Sequence, residues 1–354
     1  MSKYWSRLVR ELKPYVPGEQ PKRNRYIKLN TNENPYPPSP RAIEAIVQAA
    51  GSSLRRYPDP NCSDLKQAIG AYYGLGMQKV FVGNGSDEVL ALAFISFFKQ
   101  SHPLFFPDIS YSFYEVYCDM FEIEHVRVPV TADLDISLDD YPEPNGGIIF
   151  PNPNAPTGKL LSLEKIEALL ARNQESVVIV DEAYIDFGGV SAIELIGNHA
   201  NLLVVQTFSK SRSLAGLRVG AALGHMGLIE GLERAKNAFN SYPLDQLAIV
   251  GAAEAIRDDA YFQSTCRKVI ETRKWTANAL SKLGFAMVPS MANFIFITHP
   301  RIPASVLYAR LKEENILVRH FEKPRINNHL RVTIGSDADM QTFIQKTAQI
   351  LETA

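Results

Sequence analysis

The sequence has few cysteines, almost no net charge and no long apolar run. The three cysteines, Cys62, Cys118 and Cys266, are odd in number and far apart. They suit neither a disulfide framework nor a zinc site, so we expect a reducing, cytoplasmic compartment and no metal. The formal net charge of −1 points to neither a nucleic-acid partner nor a membrane surface. No apolar run could cross a bilayer, and residues 1–18 lack the apolar core of a secretory signal.

What is present is the composition of a globular protein. The 354 residues are 46% hydrophobic and 21% charged, which favours about two domains with a substantial core. Residues 30–40 contain four prolines and can form neither a helix nor a regular strand. We therefore predict an N-terminal arm over 1–40 that joins the smaller domain, a large α/β domain over 41–245 and a small α+β domain over 246–354.

Short apolar runs alternate with helical patterns along the chain. Such runs suit strands that are buried on both faces of a mostly parallel sheet, and the helices between them complete βαβ units. Strands are predicted at 79–82, 104–106, 147–150, 177–180, 202–207, 293–298 and 330–334. Helices are predicted at 41–50, 63–73 with Ser63 as the N-cap, 87–98, 162–173, 258–283, 303–315 and 337–351.

Lys210 lies just beyond the predicted strand 202–207. In open α/β sheets, ligands bind where the strands end at their carboxyl edge. A single lysine after a strand is usually a solvated loop residue. Here, however, small hydroxyl residues such as Ser209 surround it, and Arg218 follows eight residues later. These residue types suit a phosphate cradle beside an amine.

Asp181 stands at the end of another apolar run, in the segment VIVDEAY over 178–184. A carboxylate there is costly to bury without a cation or several donors. A protonated pyridine nitrogen is one such cation, because an opposite charge at contact range shifts a pKa by roughly 1–3 units. Tyr184 could reach the same region. The alternative is an ordinary N-cap aspartate beside a core tyrosine.

Two loops follow other predicted strands. In 80–88, VFVGNGSDE, a glycine turn opens a helix whose free N–H groups and dipole suit an anion. A simple tight turn explains this segment equally well. In 151–158, PNPNAPTG, the prolines predict a rigid loop. That loop could present an asparagine amide to a ligand or be only a turn.

In this order and combination, the four segments resemble the fold type I pyridoxal-phosphate aminotransferases over essentially the whole chain. The segments 12–18 (LKPYVPG), 29–37 (LNTNENPYP), 56–60 (RYPDP), 83–88 (GNGSDE) and 330–335 (LRVTIG) are similar to the histidinol-phosphate aminotransferase branch. The resemblance implies a mostly parallel central sheet with flanking helices and a smaller α+β domain. It also implies a homodimer that uses pyridoxal 5′-phosphate in histidine biosynthesis. The reaction would convert L-histidinol phosphate and 2-oxoglutarate into imidazole acetol phosphate and glutamate.

The resemblance also implies roles for single residues. Lys210 would hold the cofactor as a Schiff base and then move the substrate proton. Asp181 would pair with the ring nitrogen, and Tyr184 would hydrogen-bond the ring oxygen. The other cofactor contacts would be Tyr111 stacked on the ring, Gly85, Ser86, Asp87, Asn154, Thr207, Ser209 and Arg218, with Tyr57 contributed by the neighbouring subunit. The substrate would contact Tyr15, Asn32, Arg319 and Arg331.

One position departs from the family pattern. Ala155 stands where the family has a second asparagine, which leaves Asn154 or Tyr184 to contact the ring oxygen. Two other reactions fit the same constellation: transamination of aromatic amino acids and decarboxylation of threonine phosphate, a lyase reaction. A regulator with an aminotransferase-like domain would need a DNA-binding segment, and neither terminus has the room or the basic charge for one.

Overall fold

The computed structural model describes residues 2–15, 18–20 and 26–353. Helices α1–α11 cover Arg7–Glu11, Pro40–Ala49, Ser63–Tyr72, Gly85–Ala93, Phe113–Phe121, Leu163–Arg172, Met226–Phe239, Gln246–Arg257, Asp259–Lys282, Ala304–Glu313 and Asp337–Glu352. Strands β1–β13 cover Ile27–Lys28, Val80–Asn84, Leu104–Pro107, His125–Val128, Ile148–Pro151, Val178–Asp181, Leu202–Thr207, Val219–Gly224, Ala286–Val288, Phe294–Thr298, Ile316–Leu317, Arg319–His320 and Leu330–Thr333.

The large sheet has the strand order β2-β8-β7-β6-β5-β3-β4. Strand β8 runs antiparallel to β2 and β7, and all other neighbours are parallel. The valine- and isoleucine-rich strands β5 and β6 are buried along their whole length, because helices cover both faces of a parallel sheet. The mostly parallel central sheet expected from the sequence is confirmed.

The direction of the strands places the four loops at one edge of this sheet. Strands β5, β6 and β7 are parallel, and β2 runs the same way because β8 is antiparallel to both β2 and β7. Their carboxyl ends therefore lead into 84–88, 151–158, 181–184 and 207–210 at the same edge. Strand β8 enters from that edge, so Arg218 lies there too.

A second, antiparallel sheet has the order β12-β13-β10-β9. Its apolar face packs against α9, α10 and α11 around Phe343 and Val332, which are fully buried. Strand β1 of the N-terminal arm pairs with β11 next to this sheet. This pairing supports the expectation that the arm joins the smaller unit, which remains a prediction for residues 1–40 as a whole.

The division of the chain at 245/246 remains a prediction. Helix α8, which directly follows that point, packs on α2 and α3. Its residues Ala248 and Ala252 belong to the core that includes the large sheet. We propose that the boundary lies after α8, near residue 258.

The N-cap predicted for α3 was wrong. Ser63 does not cap α3. Cys62 occupies the N-cap with φ 48°, and the Asp59 carboxylate accepts the N–H of Ser63 at 2.8 Å. The helix predicted over 87–98 begins at Gly85, and its last turn, Phe94–Phe98, is a π-helix. Among the described residues no helix is both long and apolar enough to cross a membrane.

Candidate active site

A cavity of about 290 Å³ lies between the carboxyl edge of the large sheet and the small sheet. Most of the residues that the sequence singled out share its wall. These are Tyr15, Asn32, Ser86, Asp87, Tyr111, Asp181, Tyr184, Thr207, Ser209, Lys210, Arg218, Arg319 and Arg331. Residues more than 300 positions apart in the chain therefore meet in one site.

Lys210 sits in this cavity with its amine held by the N-terminal arm. Its Nζ donates to the carbonyl oxygen of Thr31 at 2.9 Å and lies 5.8 Å from the centre of the Tyr184 ring. Burial and the nearby Arg331 lower the pKa of the Lys210 amine to about 8, although Glu33 opposes this shift. Roughly a tenth of the amine is therefore neutral and nucleophilic at pH 7, far more than for an ordinary exposed lysine.

Asp181 is a buried carboxylate with two donors and no cation. Its Oδ2 accepts the hydroxyl hydrogen of Tyr114 at 2.8 Å, and its Oδ1 accepts the N–H of Ala183 at 3.2 Å. Within the described part of the chain no lysine or arginine pairs with it. Burial raises the pKa of this carboxyl to about 6, against the lowering effect of both donors. A cation placed at Asp181 would relieve this cost.

Tyr184 connects the large sheet to the arm and to the small sheet. Its hydroxyl accepts an N–H from the Asn32 amide at 3.0 Å. The Asn32 Oδ1 accepts in turn from the Thr333 hydroxyl at 3.0 Å. Burial raises the pKa of Tyr184, so the phenol is neutral at physiological pH and can donate to an oxygen in the cavity.

Helix α4 and Arg218 meet at one corner of the cavity. Arg218 donates to the Ser209 hydroxyl at 3.2 Å and pairs with Asp87 at 3.3 Å. Gly85 opens α4 with φ +79°, and a Cβ at this position would overlap the Arg218 guanidinium. Glycine is therefore required for the close approach of Arg218 to the helix N-terminus. A helix N-terminus beside a guanidinium suits a phosphate.

Arg319 and Arg331 face each other across β12 and β13. Both guanidinium groups lie over the ring of Phe321, each at 5.7 Å. Among the described residues neither makes an ion pair, and burial together with Arg319 lowers the pKa of Arg331. Two like charges at directly opposed positions repel each other. An anion between them would remove that repulsion.

Three of the sequence-predicted residues do not line the cavity. Gly85 lies behind Arg218. Asn154 is buried behind the wall, and its amide donates to the carbonyl of Ile109 at 3.0 Å, while Ala155 faces the cavity. The side chain of Tyr57 is 83% exposed and stacks on Tyr242. The roles expected for these residues remain predictions.

Sequence reasoning missed several residues of the site. Thr31, Glu33 and Phe321 line the cavity, and Tyr114 holds Asp181. The first two belong to the proline- and asparagine-rich arm, whose polar composition was a usable signal. Tyr114 follows Tyr111 by about one helical turn, which could also have suggested a shared face.

Comparisons with known proteins agree on one family. The family model for aminotransferase class I and II matches residues 24–346. Histidinol-phosphate aminotransferase 1 of Methylococcus capsulatus is 57% identical over 99% of this chain and 98% of its own length. A crystal structure of histidinol-phosphate aminotransferase from Sinorhizobium meliloti, in complex with pyridoxal-5′-phosphate, has a TM-score of 0.90 at 23% identity and covers 100% of this chain and 99% of its own. L-threonine-O-3-phosphate decarboxylase from Porphyromonas gingivalis has a TM-score of 0.79 at 23% identity, with 92% and 99% covered. At such identity the two structures show only the fold.

Proposed function

The chain belongs to the class I and II aminotransferases, and from that membership we propose that it transfers the amino group of L-histidinol phosphate to 2-oxoglutarate with pyridoxal phosphate. The observation that carries the proposal is the cavity itself. It holds a partly neutral amine at Lys210, an uncompensated acid at Asp181 and a phosphate corner at Arg218. The choice of substrate is supported by the 57% identity to a histidinol-phosphate aminotransferase over nearly the full chain.

The residues present fit this cofactor. Its ring nitrogen, when protonated, is the cation that Asp181 lacks, and its phosphate suits the corner formed by α4 and Arg218. Its aldehyde carbon reacts with an amine, which Lys210 offers in a partly neutral state. Pyridoxal phosphate, when bound, supplies an electron-poor ring that delocalises the charge left on a deprotonated substrate carbon.

Each of the predicted site residues would then have a separate role in binding the cofactor or moving a proton. Lys210 would bind the cofactor through Nζ and, as a free amine, would move the proton of the substrate carbon as general base and acid. Asp181 would keep the ring nitrogen protonated, and the Tyr184 hydroxyl would donate to the ring oxygen. Tyr111 would cover one face of the ring. Backbone and hydroxyl donors at Gly85, Ser86, Asp87, Thr207 and Ser209 would hold the phosphate end with Arg218.

We infer that Arg319 and Arg331 serve as a shared anchor for two unlike anions. Histidinol phosphate ends in a phosphate and glutamate in a carboxylate, and a planar guanidinium can bind both. Tyr15, whose ring lies 4.9 Å from that of Phe113, and Asn32 stand on the arm side of the cavity, where the imidazole would be held.

Replacing Arg331 by lysine tests the shared anchor. The change keeps the charge and loses the two-pronged geometry, so the apparent binding constants of histidinol phosphate and glutamate should both rise by about tenfold or more. Steady-state kinetics with each substrate measures this. Arg310→Lys is the matched control, because Arg310 donates to Ile350 and Thr353 and does not line the cavity. A change for only one substrate contradicts a shared anchor.

A substrate comparison decides between the proposal and its alternatives. Transfer to 2-oxoglutarate should be most efficient, in kcat/KM, from L-histidinol phosphate, with phenylalanine and tyrosine behind it. A preference for phenylalanine or tyrosine would make the chain an aromatic amino-acid aminotransferase. Release of carbon dioxide from threonine phosphate, without formation of glutamate, would make it a lyase.

We also propose that the active unit is a homodimer in which Tyr57 completes the neighbour's site. Exposed apolar side chains cluster near it, among them Leu54 at 50% and Tyr242 at 42% exposure. Since Tyr57 does not reach the cavity of its own subunit, we propose that this exposed surface binds a second copy of the chain. The three cysteines are buried and unpaired, and a cytoplasmic location remains a prediction.

A mixed dimer tests the shared site. Tyr57→Ala alone should weaken cofactor binding by about tenfold, the value of one hydrogen bond to a charged group. A heterodimer of one Tyr57→Ala subunit and one Lys210→Ala subunit should contain one intact site of two. In that site the first subunit supplies Lys210 and the second supplies Tyr57. Cofactor titration and turnover of purified hybrids measure this. If the hybrids bind the cofactor no more tightly than the Tyr57→Ala homodimer, Tyr57 acts within its own subunit or not at all.

A further inference from the structure

Tyr111, two residues before α5, and Tyr114 and Tyr117 within it direct their hydroxyl groups at Asp87 and Asp181. Tyr111 donates to Asp87 Oδ1 at 2.9 Å, and Tyr117 donates to the backbone carbonyl of Asp87 at 2.8 Å. Tyr114, which is fully buried, donates to Asp181 Oδ2 at 2.8 Å. Tyr114 and Tyr117, which are three residues apart in α5, lie on one side of the helix. Of these three tyrosines, Tyr114 is the one whose hydroxyl donates to the Asp181 carboxylate.

Among the described residues, no other side chain donates a hydrogen bond to the Asp181 carboxylate in place of the Tyr114 hydroxyl. The titratable groups that face the carboxyl are Tyr114 and Tyr117 of α5, Asp87 of α4 and Tyr184 beyond β6. The neighbouring strands pair Pro151 and Val205 with Asp181, and neither side chain titrates. Apart from Tyr114, the carboxyl accepts only the N–H of Ala183 among the residues that the structure describes.

We propose that Tyr114 is a positioning residue, whose hydroxyl group holds the Asp181 carboxylate ionised and in a fixed orientation for the cofactor ring nitrogen. The proposal rests on the proposed function, since the ring nitrogen belongs to pyridoxal phosphate. A hydrogen bond to the charged form of an acid lowers its pKa, while burial raises it. Tyr114 therefore opposes the effect of burial on the pKa of Asp181. Its hydrogen bond to Oδ2, made from the side of α5, also restrains the rotation of the carboxylate.

The Tyr114→Phe variant tests this role in the cofactor-free chain. Without the hydroxyl, the pKa of Asp181 should rise by about one further pH unit from its value near 6. The carboxyl carbon-13 resonance of Asp181, assigned by its loss in Asp181→Asn, reports the titration directly. Folding is checked by the unfolding midpoint at pH 6 and pH 8. The protonated acid no longer requires the donor at the lower pH, so the variant should fold there.

The affinity for the cofactor provides a second measurement of the role of Tyr114. The dissociation constant of pyridoxal phosphate should rise about tenfold in Tyr114→Phe, and kcat should fall more than KM changes. In an Asp181→Asn background the same tyrosine change should have much less effect, because the interaction it removes is already gone. Tyr117→Phe is the matched control. It removes a buried hydroxyl from the same helix and should leave the titration of Asp181 near that of the parent.

Equal titration of Asp181 in the parent and in Tyr114→Phe would overturn the proposal. So would equal losses of cofactor affinity in the parent and in the Asp181→Asn background, because Tyr114 would then act only through packing. If the chain binds no pyridoxal phosphate, the proposed function fails, but the titration in the cofactor-free protein still decides the role of Tyr114.

Discussion

Replacing Lys210 by alanine should lower the rate of transamination by about 10³-fold or more, within the range that a general base contributes. The variant lacks the amine that we propose binds the cofactor and then moves the substrate proton. It should still bind pyridoxal phosphate through Asp181, Tyr184 and the corner at Arg218. Borohydride reduction should attach the cofactor covalently to the parent chain, whereas the reduced variant should carry no attached cofactor. Mass spectrometry of the reduced proteins measures this difference.

The control for this change is Lys159→Ala. Lys159 pairs with Asp135 at 2.7 Å outside the cavity, so its loss should leave turnover and reducible cofactor near the parent values. A small primary amine added to the Lys210→Ala enzyme should restore part of the rate, because a free amine can occupy the space left by the side chain. Cofactor that remains reducible onto the Lys210→Ala chain would place the attachment elsewhere.

The same amine sets the pH dependence of cofactor capture. Burial lowers the pKa of Lys210 to about 8, and only the neutral amine attacks the cofactor aldehyde. In the cofactor-free parent the capture rate should therefore rise with pH up to about 8 and level off above it. An ordinary exposed lysine would continue to gain rate to a pH of about 10.

The sequence predicted those parts of the site that follow directly from strand ends. Lys210, Asp181 and the turn at Gly85 each stand next to an apolar run, and parallel strands bring such positions to one edge. Strand β8 was missed because its sequence, VGAALG, is made of small residues with a single β-branched side chain. Helix α5 was also missed, although its Tyr114 donates to Asp181 and its Tyr117 to the backbone carbonyl of Asp87.

Contacts between distant parts of the chain lay beyond any local pattern. The bond from Lys210 Nζ to the carbonyl of Thr31 joins residues 179 positions apart, and a backbone carbonyl leaves no trace in the side-chain sequence. The opposition of Arg319 and Arg331 depends on strand register, which a shift of one residue would destroy. Only the resemblance to a family pointed to these arginines before the fold was known.

Replacing Asp181 by asparagine should lower the rate of transamination by about 10²–10³-fold, which is the kinetic equivalent of breaking one buried ion pair. Asparagine keeps the shape and can accept the N–H of Ala183, but it carries no charge to keep the ring nitrogen protonated. Cofactor affinity should fall as well, while the Lys210 amine remains able to capture the cofactor. Turnover and cofactor titration measure the two effects. An Asp181→Asn enzyme with the rate of the parent would exclude the proposed pairing.

Without cofactor, the same substitution should stabilise the chain at alkaline pH. The folded-state pKa of Asp181 is raised from 3.8 to about 6, so its contribution is most favourable at low pH and is lost as pH rises through about 6. The amide introduced by Asp181→Asn cannot ionise. The variant should therefore exceed the parent in unfolding free energy at pH 8 by up to about 3 kcal/mol, at roughly 1.4 kcal/mol for each tenfold change in proton affinity. Denaturant unfolding of the cofactor-free proteins at pH 4 and pH 8 measures this.

Glu182→Gln separates the stability effect from the catalytic one. Burial also raises the pKa of Glu182, to about 7, but this acid lies outside the cavity and accepts from Ser191, Ala192 and Gln206. Its replacement should change the pH dependence of unfolding and leave transamination near the parent rate. Asp181→Asn should change both, in opposite directions. If the removal of Asp181 stabilises the empty protein but slows the reaction, the acid is kept buried at a cost in stability for the cation that we propose it binds.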